Sequence, residues 1–98
     1  MKTFALFLSM TTLPAFALTI QCESPEAKIT ISATSNSDIK ATYRGESVFA
    51  DGLVGPDEVD IVAKFSQHGE MTLFAKVGKV SPANYIFFKG KRSPVNCR

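Results

Sequence analysis

The sequence predicts an all-β fold: a small antiparallel β-barrel or sandwich of seven or eight short strands, with one disulfide joining the first and last. Three observations carry that prediction. Apolar and polar residues alternate with a period of two in four separate runs, the pattern of half-buried strands. Clusters of Ser, Asn, Asp and Gly punctuate the chain at intervals of about 8 to 12 residues. No stretch sustains apolar spacing at i, i+3, i+4 and i+7, so no long helix is expected.

The first 17 residues are read as a leader rather than as part of the fold. Lys2 precedes an apolar run, and Ala15-Phe16-Ala17 supplies the small-x-small pattern of a secretory cleavage site, placing a signal peptide over 1–17. A membrane span is disfavoured because Ser9, Thr11, Thr12 and Pro14 interrupt the apolar run, whereas a spanning helix needs about 20 mainly apolar residues. The body is then one domain over 18–98, exported to the periplasm or the extracellular space, with no membrane span once the leader is removed. An 81-residue chain buries a limited core and is helped by a covalent staple. Export provides the oxidising compartment, and Cys22 and Cys97 are the two cysteines available to pair.

The strands follow in order. A first short strand covers 18–22. Lys28-Ile29-Thr30-Ile31-Ser32-Ala33-Thr34 alternates and is rich in β-branched residues; turn residues Ser35-Asn36-Ser37-Asp38 follow, and alternation resumes over 39–44, which makes a hairpin. A short strand is expected over 47–50. Val59, Ile61, Ala63 and Phe65 share one face of the next run, and Met71, Leu73, Ala75 and Val77 one face of another, with a turn at Ser66-Gln67-His68-Gly69-Glu70 between them. Short strands over 85–89 and 95–97 complete the set. The segment 52–56, with two glycines and a proline, reads as the longest loop and presents Leu53 and Val54, while Pro56-Asp57-Glu58 suits a single helical turn. A barrel is favoured over a sandwich because closure brings the first and last strands, and so the cysteines, together.

Charge excludes some functions. The chain has 11 basic and nine acidic residues, and loss of Lys2 with the leader leaves a net charge of +1. That balance and export together argue against nucleic acid, although aromatic residues beside Lys89, Lys91 and Arg92 have the composition of a base-stacking platform. The distribution is more informative: five acids and no base lie in 46–60, and six bases and no acid in 76–98, which predicts an acidic pole and a basic edge.

Catalytic and metal chemistry find little in the sequence. There is no G-x-S-x-G elbow, the single His68 sits in a turn without a second imidazole, and Asp57, Glu58 and Asp60 lack calcium-loop spacing. No cofactor is expected and the domain is read as non-catalytic; a hydrolase built on two carboxylates that meet in space is the alternative from another class. A binding signal comes from the polar faces of the strands. Val62 lies with Asp60 and Lys64, Phe74 with Thr72 and Lys76, and Phe87 in parity with Tyr85 and Lys89. If the strands are neighbours, Val62, Phe74 and Phe87 line up on an outer surface rimmed by lysines, the form of a partner-binding patch. Binding of an anionic polymer or a structural envelope role is the other alternative.

The layout also resembles a known family. A Cys in the first strand, the closing Val95-Asn96-Cys97, and an all-β body of this length are similar to the bacterial C-type lysozyme inhibitors, small periplasmic or membrane-attached barrels. Ser81-Pro82-Ala83-Asn84-Tyr85 is similar to their S-G-x-x-Y segment, and Tyr85-Ile86-Phe87-Phe88-Lys89-Gly90 to their aromatic strand; here the two segments share Tyr85, and Pro82 stands where the family has glycine. The resemblance implies a protein partner, a lysozyme, with Ser81 and Tyr85 on the loop that enters the enzyme's cleft and a lysine such as Lys89 nearby. The expected partner-binding set is therefore Phe74, Ser81, Tyr85, Phe87, Lys89 and Lys91.

Overall fold

A computed structural model describes residues 18–98, and the leader expected over 1–17 lies outside the described residues. The described residues form nine strands: β1 (Leu18–Glu23), β2 (Lys28–Ser35), β3 (Asp38–Tyr43), β4 (Glu46–Val54), β5 (Glu58–Phe65), β6 (Gly69–Lys76), β7 (Tyr85–Phe88), β8 (Lys91–Pro94) and β9 (Asn96–Cys97). All pair antiparallel in one sheet, ordered β8-β7-β6-β5-β4-β3-β2-β1-β9. This is a meander in which each strand pairs with the next, up to the last step.

The last step closes the sheet. β8 pairs with β7, and after the single residue Val95 the same segment, as β9, pairs with β1. Arg98 and Gln21 exchange both backbone hydrogen bonds at 2.9 Å, so the next pair along, Cys22 and Cys97, is a non-hydrogen-bonded pair, the kind whose Cα atoms approach most closely. Their Cα atoms are 4.0 Å apart and a disulfide joins them. The sheet is thus an almost closed barrel, its seam stitched by sulfur at β1 and β9.

Alternation explains what fills it. Ile29, Ile31 and Ala33 of β2, Ile39, Ala41 and Tyr43 of β3, Val59, Ile61, Ala63 and Phe65 of β5, and Met71, Leu73 and Ala75 of β6 all point inward and are buried. Register stacks them in rows, such as Ile61 opposite Leu73, opposite Ile86, opposite Ser93. Alanines among larger residues let inner side chains from opposite walls interdigitate. At one end the aromatic rings of Tyr43, Phe65 and Phe88 pack together at 5.1–5.9 Å.

Three expectations are corrected. The segment 52–56 is not a long loop: β4 continues to Val54, and of the two apolar residues Val54 is buried and Leu53 exposed. Gly52 permits this, because a Cβ there would sit 2.1 Å from the carbonyl oxygen of Asp60 on the paired strand. No side-chain-bearing residue fits that approach. Pro56 and Asp57 form a bend instead of a helical turn. The described residues hold nine strands in place of seven or eight because β8 adds to those expected: Lys89 and Gly90, with φ of 57° and 76°, form a two-residue hairpin that sends the chain straight back along β7.

Candidate functional site

The outward residues of β4 to β8 form two adjoining rows. Asp51, Val62, Thr72, Phe87 and Arg92 are opposite one another in turn, and so are Leu53, Asp60, Phe74, Tyr85 and Pro94. The expected alignment of Val62, Phe74 and Phe87 is therefore diagonal rather than straight: Thr72 separates Val62 from Phe87, and Phe74 bridges them from the neighbouring row. Diagonal neighbours on a sheet lie about 7–8 Å apart, within reach of aromatic side chains. Leu53, Val62, Phe74 and Phe87 thus zigzag across four strands, with Tyr85 directly opposite Phe74 and their ring centroids 6.3 Å apart.

This surface is not core. Phe87 is 46% exposed and Leu53 62%, while Val62, Phe74 and Tyr85 are half-buried by their neighbours. The guanidinium of Arg92 stands 4.4 Å from the centroid of the Tyr85 ring, a cation–π contact that fixes both side chains. Charge is graded across the strip, with Asp51 and Asp60 on β4 and β5 and Arg92 on β8, so β6 separates an acidic side from a basic one. The bipolarity of the sequence becomes a lateral gradient on the folded surface.

The expected binding residues divide into three places. Phe74, Tyr85 and Phe87 come together on the outer strip. Ser81 belongs to the connection 77–84 that enters β7, and Lys89 leaves β7 at its other end, so the two stand at opposite ends of the strand. Lys91, next to the same hairpin, is ion-paired with Glu26. The connection holding Ser81 is fixed from beneath. Asn84 is buried, its Oδ1 accepts from the Lys76 amide at 3.0 Å, and its Nδ2 donates to the Lys79 carbonyl at 2.8 Å. Ser81 Oγ accepts the Ala83 amide at 3.1 Å, and Gly78 N–H donates to the Cys97 carbonyl at 2.7 Å, which ties the connection to the disulfide. Val80 at its crest is 90% exposed.

Other candidates resolve into local structure. Glu58 pairs with Lys76 at 2.7 Å. His68 packs edge-on against the Tyr43 ring, centroids 4.8 Å apart. Among the described residues no three His, Cys, Asp or Glu side chains gather as a metal-ion site. Glu46 instead secures the β5–β6 turn: it accepts from the Ser66 hydroxyl and amide, both at 2.6 Å, and from the Gln67 amide at 3.4 Å. The Ser66 hydroxyl and amide, then the Gln67 amide and the nearby His68, hold its carboxyl below the ordinary value.

Sequence reading missed Phe49 and Val80 as surface groups, and it presented Leu53 on a loop rather than on a strand. For Phe49 the signal existed: it shares parity with Ser47 and Asp51 on β4, and it is 70% exposed with the Lys40 ammonium 5.4 Å from its ring centroid. The structure defines a class, a small disulfide-closed antiparallel barrel with an aromatic outer strip. No protein-family model matches the chain, and no curated protein or solved structure is significantly similar to it.

Proposed function

We propose that this chain is an exported, non-catalytic barrel domain that binds a protein partner through the outer strip of β4 to β8 and the adjoining 77–84 connection. The observation that carries the reading is the continuous apolar zigzag of Leu53, Val62, Phe74 and Phe87, with Tyr85 clamped by Arg92, on a convex surface. Tyr and Arg are the residue types that dominate interface energetics, because each combines a large apolar area with a directional polar tip. Here both are held in place before binding, which lowers the entropy lost on association. The connection carrying Ser81 is equally preorganised by Asn84.

The partner the resemblance implies is a lysozyme-type hydrolase. A basic edge with a hydroxyl-bearing connection suits a carboxylate-lined cleft, since donors there make charge-assisted hydrogen bonds to catalytic acids. The acids of β4 and β5 would steer a basic enzyme during encounter.

The test is a lysozyme activity assay with the disulfide-bonded protein. Inhibition at micromolar concentration, weakened about tenfold or more by Phe87→Ser with the melting temperature unchanged, is the expected outcome. No inhibition removes the hydrolase as partner. Capture from envelope extract that Phe87→Ser does not reduce removes the outer strip as the binding face.

A further inference from the structure

The barrel is not sealed everywhere. β8 pairs with β7 on one side only, and across from its free edge stands the β1–β2 connection, residues 24–27, rather than a strand. The opening is a cavity of about 290 Å³ that reaches the inward residues Ile86 and Ser93. Arg44, Lys89 and Lys91 also line it, with one carboxylate, Glu26. Glu26 is taken up by its ion pair with Lys91, whereas Arg44 and Lys89 enter no ion pair among the described residues.

Arg44 and Lys89 are unusual in a second way. They are the two non-glycine residues with positive φ among the described residues, at 50° and 57°, each followed by a positive-φ glycine in a two-residue hairpin. Asn, Asp or Gly relieves that backbone conformation; a long cation does not. Both hairpins nevertheless hold one, and both charged heads approach the buried Tyr43 ring: Arg44 Cζ is 5.7 Å and Lys89 Nζ 5.5 Å from its centroid, with Lys89 also 5.6 Å from that of Phe88. One cation suffices to cover an aromatic ring. Two cations without ion-pair partners at one cavity mouth form a positive spot that attracts an anion. Residues held in sparsely populated backbone regions are where a functional constraint is to be sought.

We propose that this seam cavity binds a small organic oxyanion, a phosphate or carboxylate group on a polyol or sugar, held by Arg44 and Lys89. The Arg fork accommodates two oxygens of such a group, Lys89 adds a point charge, and the Ser93 residue offers a hydroxyl toward the body of the ligand. The volume is at the lower end of the range for small-molecule sites, about 300 Å³ upward, which suits a three- to six-carbon ligand. This site is separate from the outer strip and does not depend on it.

The experiment is a titration of the disulfide-bonded protein, followed by amide NMR at low ionic strength, with inorganic phosphate, glycerol 3-phosphate and glucuronate. Saturable shifts at Arg44–Gly45 and Lys89–Gly90 are expected, strongest with the phosphates if the natural group is a phosphate and with glucuronate if it is a carboxylate. Arg44→Asn and Lys89→Asn keep residues that tolerate the hairpin backbone, so the fold is retained, and each should weaken binding about tenfold. Phe87→Ser should leave the titration unchanged, and Arg44→Asn should leave partner capture by the strip unchanged, so the two readings fail separately. Absence of saturable shifts from all three probes up to about 50 mM, or equal shifts in the doubly Asn-substituted protein, would overturn the proposal.

Discussion

Phe87 and Phe88 are adjacent in the chain and opposite in circumstance. Phe88 is 7% exposed and packs against Tyr43 and Phe65 inside the barrel end; Phe87 is 46% exposed on the outer strip between Thr72 and Arg92. The same side chain therefore serves two ends of the energetic scale, and the difference is set by strand parity alone. The inner wall derives its stability from removing apolar surface from water, whereas the outer wall leaves apolar surface available. In so small a barrel, an aromatic residue left outside is a stability contribution forgone.

Truncation should expose the contrast most strongly. Phe88→Ala is expected to destabilise by about 3–5 kcal/mol, since it removes a large buried ring and leaves a cavity among Tyr43 and Phe65. Phe87→Ala should shift unfolding by less than about 1 kcal/mol, as expected for a surface position. Urea unfolding of both variants measures the difference directly. Equal losses would mean that the outer strip is structural.

The disulfide sharpens the comparison from another side, because an inside exists only while the seam is shut. The bridge spans a sequence separation of 75 residues, and in the chain-entropy model closing a loop of that size stabilises by about 4 kcal/mol. Cys22→Ser with Cys97→Ser should lose up to that amount and should raise hydrogen exchange first at β9, which pairs with β1 over only two positions. Exchange rising first in β5 and β6 instead would show that closure is not what the bridge secures.

What was legible in the sequence follows the same division between inner and outer walls. β2, β3, β5 and β6 were readable because Ile, Val, Ala and Leu at every second position record a buried face. β8 was not, because the inward parity of Lys91-Arg92-Ser93-Pro94 falls on Lys91 and Ser93, so the strand carries no apolar alternation. The far half of β4 was hidden by Gly52, whose role, close approach to the Asp60 carbonyl, depends on a partner strand. The outer strip was half visible: parity singled out Val62, Phe74 and Phe87, but only the register shows that Phe74 links the other two diagonally and that Arg92 clamps Tyr85. The seam cavity was not legible. It exists because hairpins 45 residues apart in sequence turn at the same barrel end, and two Lys/Arg-Gly dipeptides give no sign that they share a tyrosine.

The smallest effect expected belongs to a polar group at the rim of the barrel, Glu46, which stands opposite the buried Tyr43 on the inward parity of β4, and it tests whether a charge at that rim contributes to stability. Its carboxylate gathers the Ser66 hydroxyl and amide and the Gln67 amide, which fastens the β5–β6 turn to the start of β4. These donors favour the charged form, so the folded-state value lies below the ordinary carboxylate value of about 4.5. The unfolded chain then binds the proton more readily than the folded one, and stability rises with pH across that interval. The contribution is complete above about pH 4.5 and is lost as pH falls through the lower folded-state value. Glu46→Gln should accordingly lower the melting temperature slightly at pH 7 and leave it nearly unchanged relative to the parent in strong acid, where both side chains are neutral. A variant whose deficit is the same at both pH values would place the effect in the shape of the side chain rather than its charge.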